Sequence, residues 1–187
     1  MTPAVSLDLS CMPGISLAID ERELSRVFRL VLEAEGVSRP CEVSVSVVDE
    51  PTMAGLNLDW RGIDAPTDVI SLECERPDDP DLADGEPCML GDIAMAPSVL
   101  ARQAVGFGTS AEDETRLMAI HSLLHLLGYD HLEEAEAQAM ERREDELLAL
   151  AGCGAVGHVT LTRHEDEAPC VDDLAAPRHR DEGVEAS

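Results

Sequence analysis

The sequence predicts one α/β or α+β domain, a small sheet with helices packed on it. Two patterns and one bound carry this expectation. CEVSVSVVDE, TDVISLE (67–73) and MLGDIAMA (89–96) have strand character. Four stretches read as helices, and 20–35 and 109–128 place apolar residues at helical spacing. With 187 residues and 44% hydrophobic content, the chain can bury one real core.

Residues 20–35, DERELSRVFRLVLEAE, read as an amphipathic helix with Asp20 as N-cap and Gly36 as the stop. Leu24, Val27, Phe28 and Val31 share one face, and Arg22, Arg26 and Arg29 form a stripe on the other. Val43, Val45 and Val47 alternate with serines, which marks a strand with one buried face. A short helix follows from Pro51 to Trp60. The stretch RPDDPDLADGEP reads as a polar loop between the next two strands. Thr109 to Gly128 reads as a helix with Thr109-Ser110-Ala111-Glu112 as a capping box. It is apolar nearly all round, so it belongs at the centre of the fold. Leu132 to Ala151 forms the last helix, stopped by Gly152.

Charge restricts the partners. The formal net charge is −26, and all 13 basic residues are arginine. Such a chain repels nucleic acid globally, so RNA binding needs a local arginine cluster. The Arg22, Arg26 and Arg29 stripe could track a phosphate backbone, but a solvated face with local Glu–Arg pairs is the simpler expectation. The N-terminus has neither the basic region nor the apolar run of a signal peptide. No stretch approaches the ~20 apolar residues of a membrane span. Scattered cysteines without a CxxC fit reduced thiols in the cytosol. The expected organisation is an extension over 1–14, a folded domain over 15–152 and an acidic tail over 153–187. Residues 164–187 have the composition of a disordered segment.

The chemistry concentrates in HSLLHLLGYDH, residues 121–131. His121 and His125 lie one helical turn apart on the same face. Gly128 lets the chain turn so that His131 returns toward them. Three imidazoles with a fourth position open is the ligand count of a catalytic zinc site. A lone histidine is more often core or surface, but two in an apolar helix and a third after its terminating glycine point to a metal. Asp130 beside His131 could orient an imidazole, or simply serve the turn.

The spacing His-x3-His-x2-Gly-x2-His is that of the metzincin metalloproteases, whose general base is the glutamate after the first histidine. Here that residue is Ser122, which cannot take a proton from zinc-bound water near neutral pH. A Met-turn is also missing, since Met140 falls inside the last helix. The metal cage without the acid argues against peptide hydrolysis. RNA cleavage fits, because the substrate's own 2′-OH or an activated water attacks and a cation stabilises the phosphorane-like transition state.

HSLLHLLGYDH resembles the signature of the YbeY family of bacterial rRNA maturation factors. LNLDWRGIDAPTDVISL (56–72) resembles the family's upstream block, and LGDIAMA (90–96) its Leu-Gly-Asp-Ile strand. The resemblance covers roughly residues 15–152. It implies an α+β fold with a small mixed four-stranded sheet, about five surrounding helices and a metalloprotease-like zinc helix. It implies a cytoplasmic, single-strand-specific, zinc-dependent endoribonuclease acting on the 3′ end of 16S rRNA and in ribosome quality control. Its partners would be single-stranded RNA, rRNA and the small ribosomal subunit, with neither DNA nor membrane. One Zn2+ per chain would sit on His121, His125 and His131. The catalytic set would be Arg61, His121 and His125, with Arg61 also binding the phosphate; by spacing alone Arg61 would be a loop arginine paired with Asp64. Ser122 stands where the family has glycine and adds a hydroxymethyl group close to the metal. Leu72 replaces a phenylalanine. The alternative function is a zinc-stabilised ribosome assembly factor with little catalysis.

Two weaker signals are set aside. Cys153, His158, His164 and Cys170 are too loosely spaced for a second zinc site. Asp92 in the LGDI strand could approach the metal or pair structurally, and spacing does not decide.

Overall fold

The computed structural model describes residues 4–130 and 134–153. His131, His158, His164 and Cys170 lie outside the described residues, as does all of the acidic tail past Cys153. The elements are β1 (Val5–Cys11), α1 (Glu21–Ala34), β2 (Cys41–Val47), α2 (Glu50–Arg61), β3 (Val69–Glu73), β4 (Cys88–Met95), α3 (Pro97–Phe107), α4 (Ala111–Leu126) and α5 (Glu134–Ala151). The sheet order is β1-β2-β4-β3, with β1, β2 and β4 parallel and β3 antiparallel to β4. This is the expected α+β fold with a mixed four-stranded sheet.

Two elements go beyond those expected from sequence. The segment expected to be an extension supplies β1, paired with β2 from Val5 opposite Cys41 to Cys11 opposite Val47. Its alternation of Val5, Leu7 and Leu9 is the period-2 signal of a strand. α3 is the other, opened by Pro97 in its first turn and closed by Gly108 at φ 69°.

Helix ends follow side-chain chemistry. Asp20 accepts the Glu23 N–H at 2.8 Å and so caps α1. Gly36 takes φ 71° just past its end, and the Val37 N–H reaches the Leu32 carbonyl. At α4 the cap is Ser110, not Thr109, and its hydroxyl accepts the Asp113 N–H at 3.0 Å. The Thr109 hydroxyl instead donates to the buried Glu114 carboxylate at 3.1 Å, which takes it out of the capping position.

α4 is central, as its composition predicts. It packs against α1, α3, α5, β3 and β4. One core joins Leu24, Phe28 and Val31 of α1, Val43 and Val45 of β2, Ile120, Leu123 and Leu124 of α4, and Leu147 of α5. A smaller cluster holds Met53 of α2 with Ile70 and Ala96. Gly91 explains the LGDI motif. A bulge lies where Met89 and Gly91 face consecutive β2 residues, and Gly91 adopts φ 140°. A Cβ there would lie 2.0 Å from the Leu72 carbonyl oxygen, so only glycine fits. The bulge restores Ile93 and Met95 to the buried face and leaves Asp92 exposed.

The arginine stripe of α1 divides. Arg26 forks onto Glu23 at 2.7 and 2.8 Å and also donates to the Ala151 carbonyl, tying α1 to the end of α5. Arg22 and Arg29 are exposed. Among the described residues, Cys11, Cys41, Cys74, Cys88 and Cys153 are free thiols. Burial pushes Cys41 up to about 11 and Cys88 up to about 12, so both remain protonated at neutral pH. No helix among the described residues is long and apolar enough to cross a membrane.

Candidate metal centre

His121 and His125 project from the last two turns of α4, one nearly buried and the other half-buried. Their Nε2 atoms face each other at 3.1 Å, with ring planes at 82°. Each Nδ1 is already engaged. That of His121 lies 2.7 Å from Oε1 of Glu144 on α5. That of His125 lies 3.0 Å from the Tyr129 carbonyl oxygen. A carbonyl only accepts, so His125 donates from Nδ1; a carboxylate Glu144 likewise accepts from the Nδ1–H of His121. Both neutral rings then present Nε2 lone pairs to one point. Two lone pairs at this separation repel unless a proton or a metal ion sits between them.

The donor set suits a metal ion. With Zn–N distances of about 2.0–2.1 Å, two tetrahedral ligands stand about 3.3 Å apart, close to the observed separation. A carboxylate and a carbonyl behind the two rings are the usual outer partners of metal-bound histidine. The second Glu144 oxygen, Oε2, is buried with no hydrogen-bond partner among the described residues. A buried carboxylate so placed calls for a nearby positive charge. No group of three potential ligands forms among the described residues, and His131, the expected third, lies beyond them.

The turn after α4 is built as the sequence predicts. Gly128 takes φ 93°, its N–H bonds to the His125 carbonyl, and the Tyr129 N–H bonds to the Leu124 carbonyl. The chain thereby folds back over His125 and delivers the Tyr129 carbonyl to its Nδ1. Glu35 at the end of α1 fixes this corner. It accepts from the Tyr129 hydroxyl at 2.9 Å and from Arg143 Nε at 2.6 Å. Burial and the Glu35 bond both raise the Tyr129 phenol, so it remains a donor. Arg143 also donates to the Ala34 carbonyl and to Glu146, which sets α5 in register with Glu144 facing His121.

Of the other expected site residues, Ser122 is fully buried, and its hydroxyl meets no hydrogen-bond partner among the described residues. Asp130 is half-buried at the end of the turn. Arg61 is the last residue of α2, half-buried, before a turn at Gly62 with φ 73°. Its loop is held by Asn57, a buried side chain whose amide donates to the Ala65 carbonyl at 2.8 Å. Beyond the loop, Asp68 accepts the Val69 N–H and the Gln103 amide, fixing the start of β3, which packs on α4.

Glu144 and Asn57 are not among the site residues expected from the sequence. The signal for Glu144 is its position: with Met140, Leu147 and Leu148 it falls on the buried stripe of α5, where an acid has no place unless something pairs with it.

Comparison with known proteins agrees with the motifs. The family model described as Endoribonuclease YbeY matches residues 15–152. The chain is 45% identical over 132 residues to an Endoribonuclease YbeY of Moorella thermoacetica, covering 69% of this chain and 85% of that one. It is 42% identical over 147 residues to that of Thermobifida fusca, covering 78% and 93%. It is 41% identical over 134 residues to that of Desulfitobacterium hafniense, covering 71% and 83%. The solution structure of TM1509 from Thermotoga maritima superposes with a TM-score of 0.53 over 88% of this chain and 97% of that one. At 24% identity that likeness speaks for the fold.

Proposed function

The chain belongs to the YbeY endoribonuclease family, and from that premise we propose a metal-dependent endoribonuclease specific for single-stranded RNA. It acts in the cytoplasm in rRNA maturation, at the 3′ end of 16S rRNA on the small subunit, and in ribosome quality control. The observation that carries the metal dependence is the pair of Nε2 atoms facing each other at 3.1 Å, each ring held from behind by an acceptor. His121, His125 and His131 would hold one Zn2+ per chain.

When bound, the ion supplies Lewis-acid stabilisation of the negative charge that builds on the scissile phosphate. Glu144 and the Tyr129 carbonyl keep both imidazoles in the tautomer that leaves Nε2 free to ligate. Glu144 is not placed as a general base, because its Oε1 accepts from the His121 Nδ1–H and the residue is buried. Arg61 neutralises a non-bridging oxygen, and Asn57 fixes the loop that follows it. The attacking group is either the neighbouring 2′-OH or a water. The first leaves a 2′,3′-cyclic phosphate, so analysis of product ends distinguishes them.

The test pairs zinc content with cleavage. The purified chain should carry about one zinc, and its cleavage of single-stranded RNA should stop with chelator and in His125→Ala. Bound zinc with cleavage no greater than in that variant would support an assembly factor instead.

A further inference from the structure

We propose that Arg76 is a phosphate-binding residue for single-stranded RNA, presented beside the histidine centre by Glu73 and Gly128. The assignment deepens the nuclease function and rests on it. Arg76 follows β3, and its Nε and Nη2 fork onto the two Glu73 oxygens at 2.8 and 2.9 Å. The third nitrogen, Nη1, is left outside that fork. The guanidinium lies against the bare Cα of Gly128: a Cβ there would stand 2.9 Å from Cζ and 3.0 Å from Nη1. Gly128 belongs to the turn that delivers the Tyr129 carbonyl to His125 Nδ1, so the cation sits on the turn that backs His125, three residues along the chain from it.

Four other arginines are committed to holding elements together. Arg26 and Arg116 converge on Glu23, Arg102 spans to Glu50, and Arg143 binds Glu35, Glu146 and the Ala34 carbonyl. Arg76 pairs with a neighbour three residues away and its side chain remains 52% exposed. Among the described residues, Glu73 and Asp78 are acids whose charge acts on it. Glu73 offsets part of its charge but fixes the planar group, so little side-chain freedom is lost when Nη1 meets a phosphate oxygen. In a chain of net charge −26, a cation held on this turn lowers the local repulsion that a polyanion meets.

The competing role is purely structural, a cation at the C-terminal end of α4. Salt dependence separates the two. Binding of a single-stranded 2′-O-methyl RNA oligonucleotide is measured by anisotropy over a range of salt. Removing one phosphate contact lowers the slope of log affinity against log salt by about 0.7. Arg76→Ala should show that drop, Arg76→Lys should restore it, and Arg102→Ala should keep the wild-type slope. Arg76→Gln carries the same test if the alanine variant does not fold. A wild-type slope in the folded alanine or glutamine variant overturns the assignment and leaves a helix cap. If the wild-type chain shows no salt-dependent RNA binding, the nuclease function falls and takes this assignment with it.

Discussion

Replacing Glu144 by glutamine should weaken metal binding without weakening the metal-free fold. Glutamine keeps the shape and an oxygen to accept the His121 Nδ1 proton, now 2.7 Å from Glu144 Oε1. It removes a carboxylate that is 1% exposed and has one oxygen without a partner. In the metal-free protein, loss of that poorly solvated charge offsets the weaker hydrogen bond. In the metal-bound protein the variant loses the anion that balances the ion and strengthens His121 as a donor. Loss of such an outer partner costs about 10–100-fold in metal affinity, or about 1.4–2.7 kcal/mol. Under excess zinc this loss appears directly as lost stabilisation. At about 2–4 °C per kcal/mol for a domain of this size, the zinc-induced rise in Tm should shrink by about 3–11 °C. The assay is a thermal melt of both proteins with chelator and with a fixed excess of zinc. A variant whose chelated form melts well below wild type, while its zinc-induced rise is unchanged, would refute the reasoning. Glu144 would then be a structural hydrogen-bond partner only.

Other consequences can be checked on the same protein. Gly91→Ala should cost about 3 kcal/mol or more, through its positive φ and the collision with the Leu72 carbonyl, seen as a lower urea midpoint. Asn57→Ala removes the buried amide that ties the exposed Ala65 carbonyl to α2, an expected loss of about 0.5–1.5 kcal/mol, with faster hydrogen exchange over residues 62–66. Glu23, forked by Arg26 and touched by Arg116, is lowered to about 2, so its stabilisation is present above the ordinary carboxylate pKa and is lost as pH falls toward 2. Glu23→Gln should therefore be less stable than wild type at pH 7 and lose less between pH 5 and 2, as followed by circular dichroism. An identical acid limb in both proteins would remove Glu23 from that account.

How much was legible follows from the range of the interactions. His121 and His125 share a face because four residues make one helical turn, and no tertiary contact is needed to see it. Asp20, Gly36 and Gly128 act on the backbone within a few residues, so the ends of α1 and α4 could be placed from their types. β1 carries the alternation of a strand yet falls in the expected extension, since an edge strand exists only once β2 is there to pair with it. The cap of α4 moved by one residue because Thr109 found a different partner in Glu114.

The sequence by itself determined the helix of the histidines, their common face, the glycine turn and the family. Only the tertiary structure decided which acid stands behind His121, because Glu144 is 23 residues away on another helix. It also decided that Arg26 serves the packing of α5, that Gly91 yields to a carbonyl from β3, and that Arg76 lies on the turn at His125. The physical reason is shared. Periodicity and capping are set by bonds along the chain, whereas the partners of a charged side chain are set by how the helices and the sheet pack.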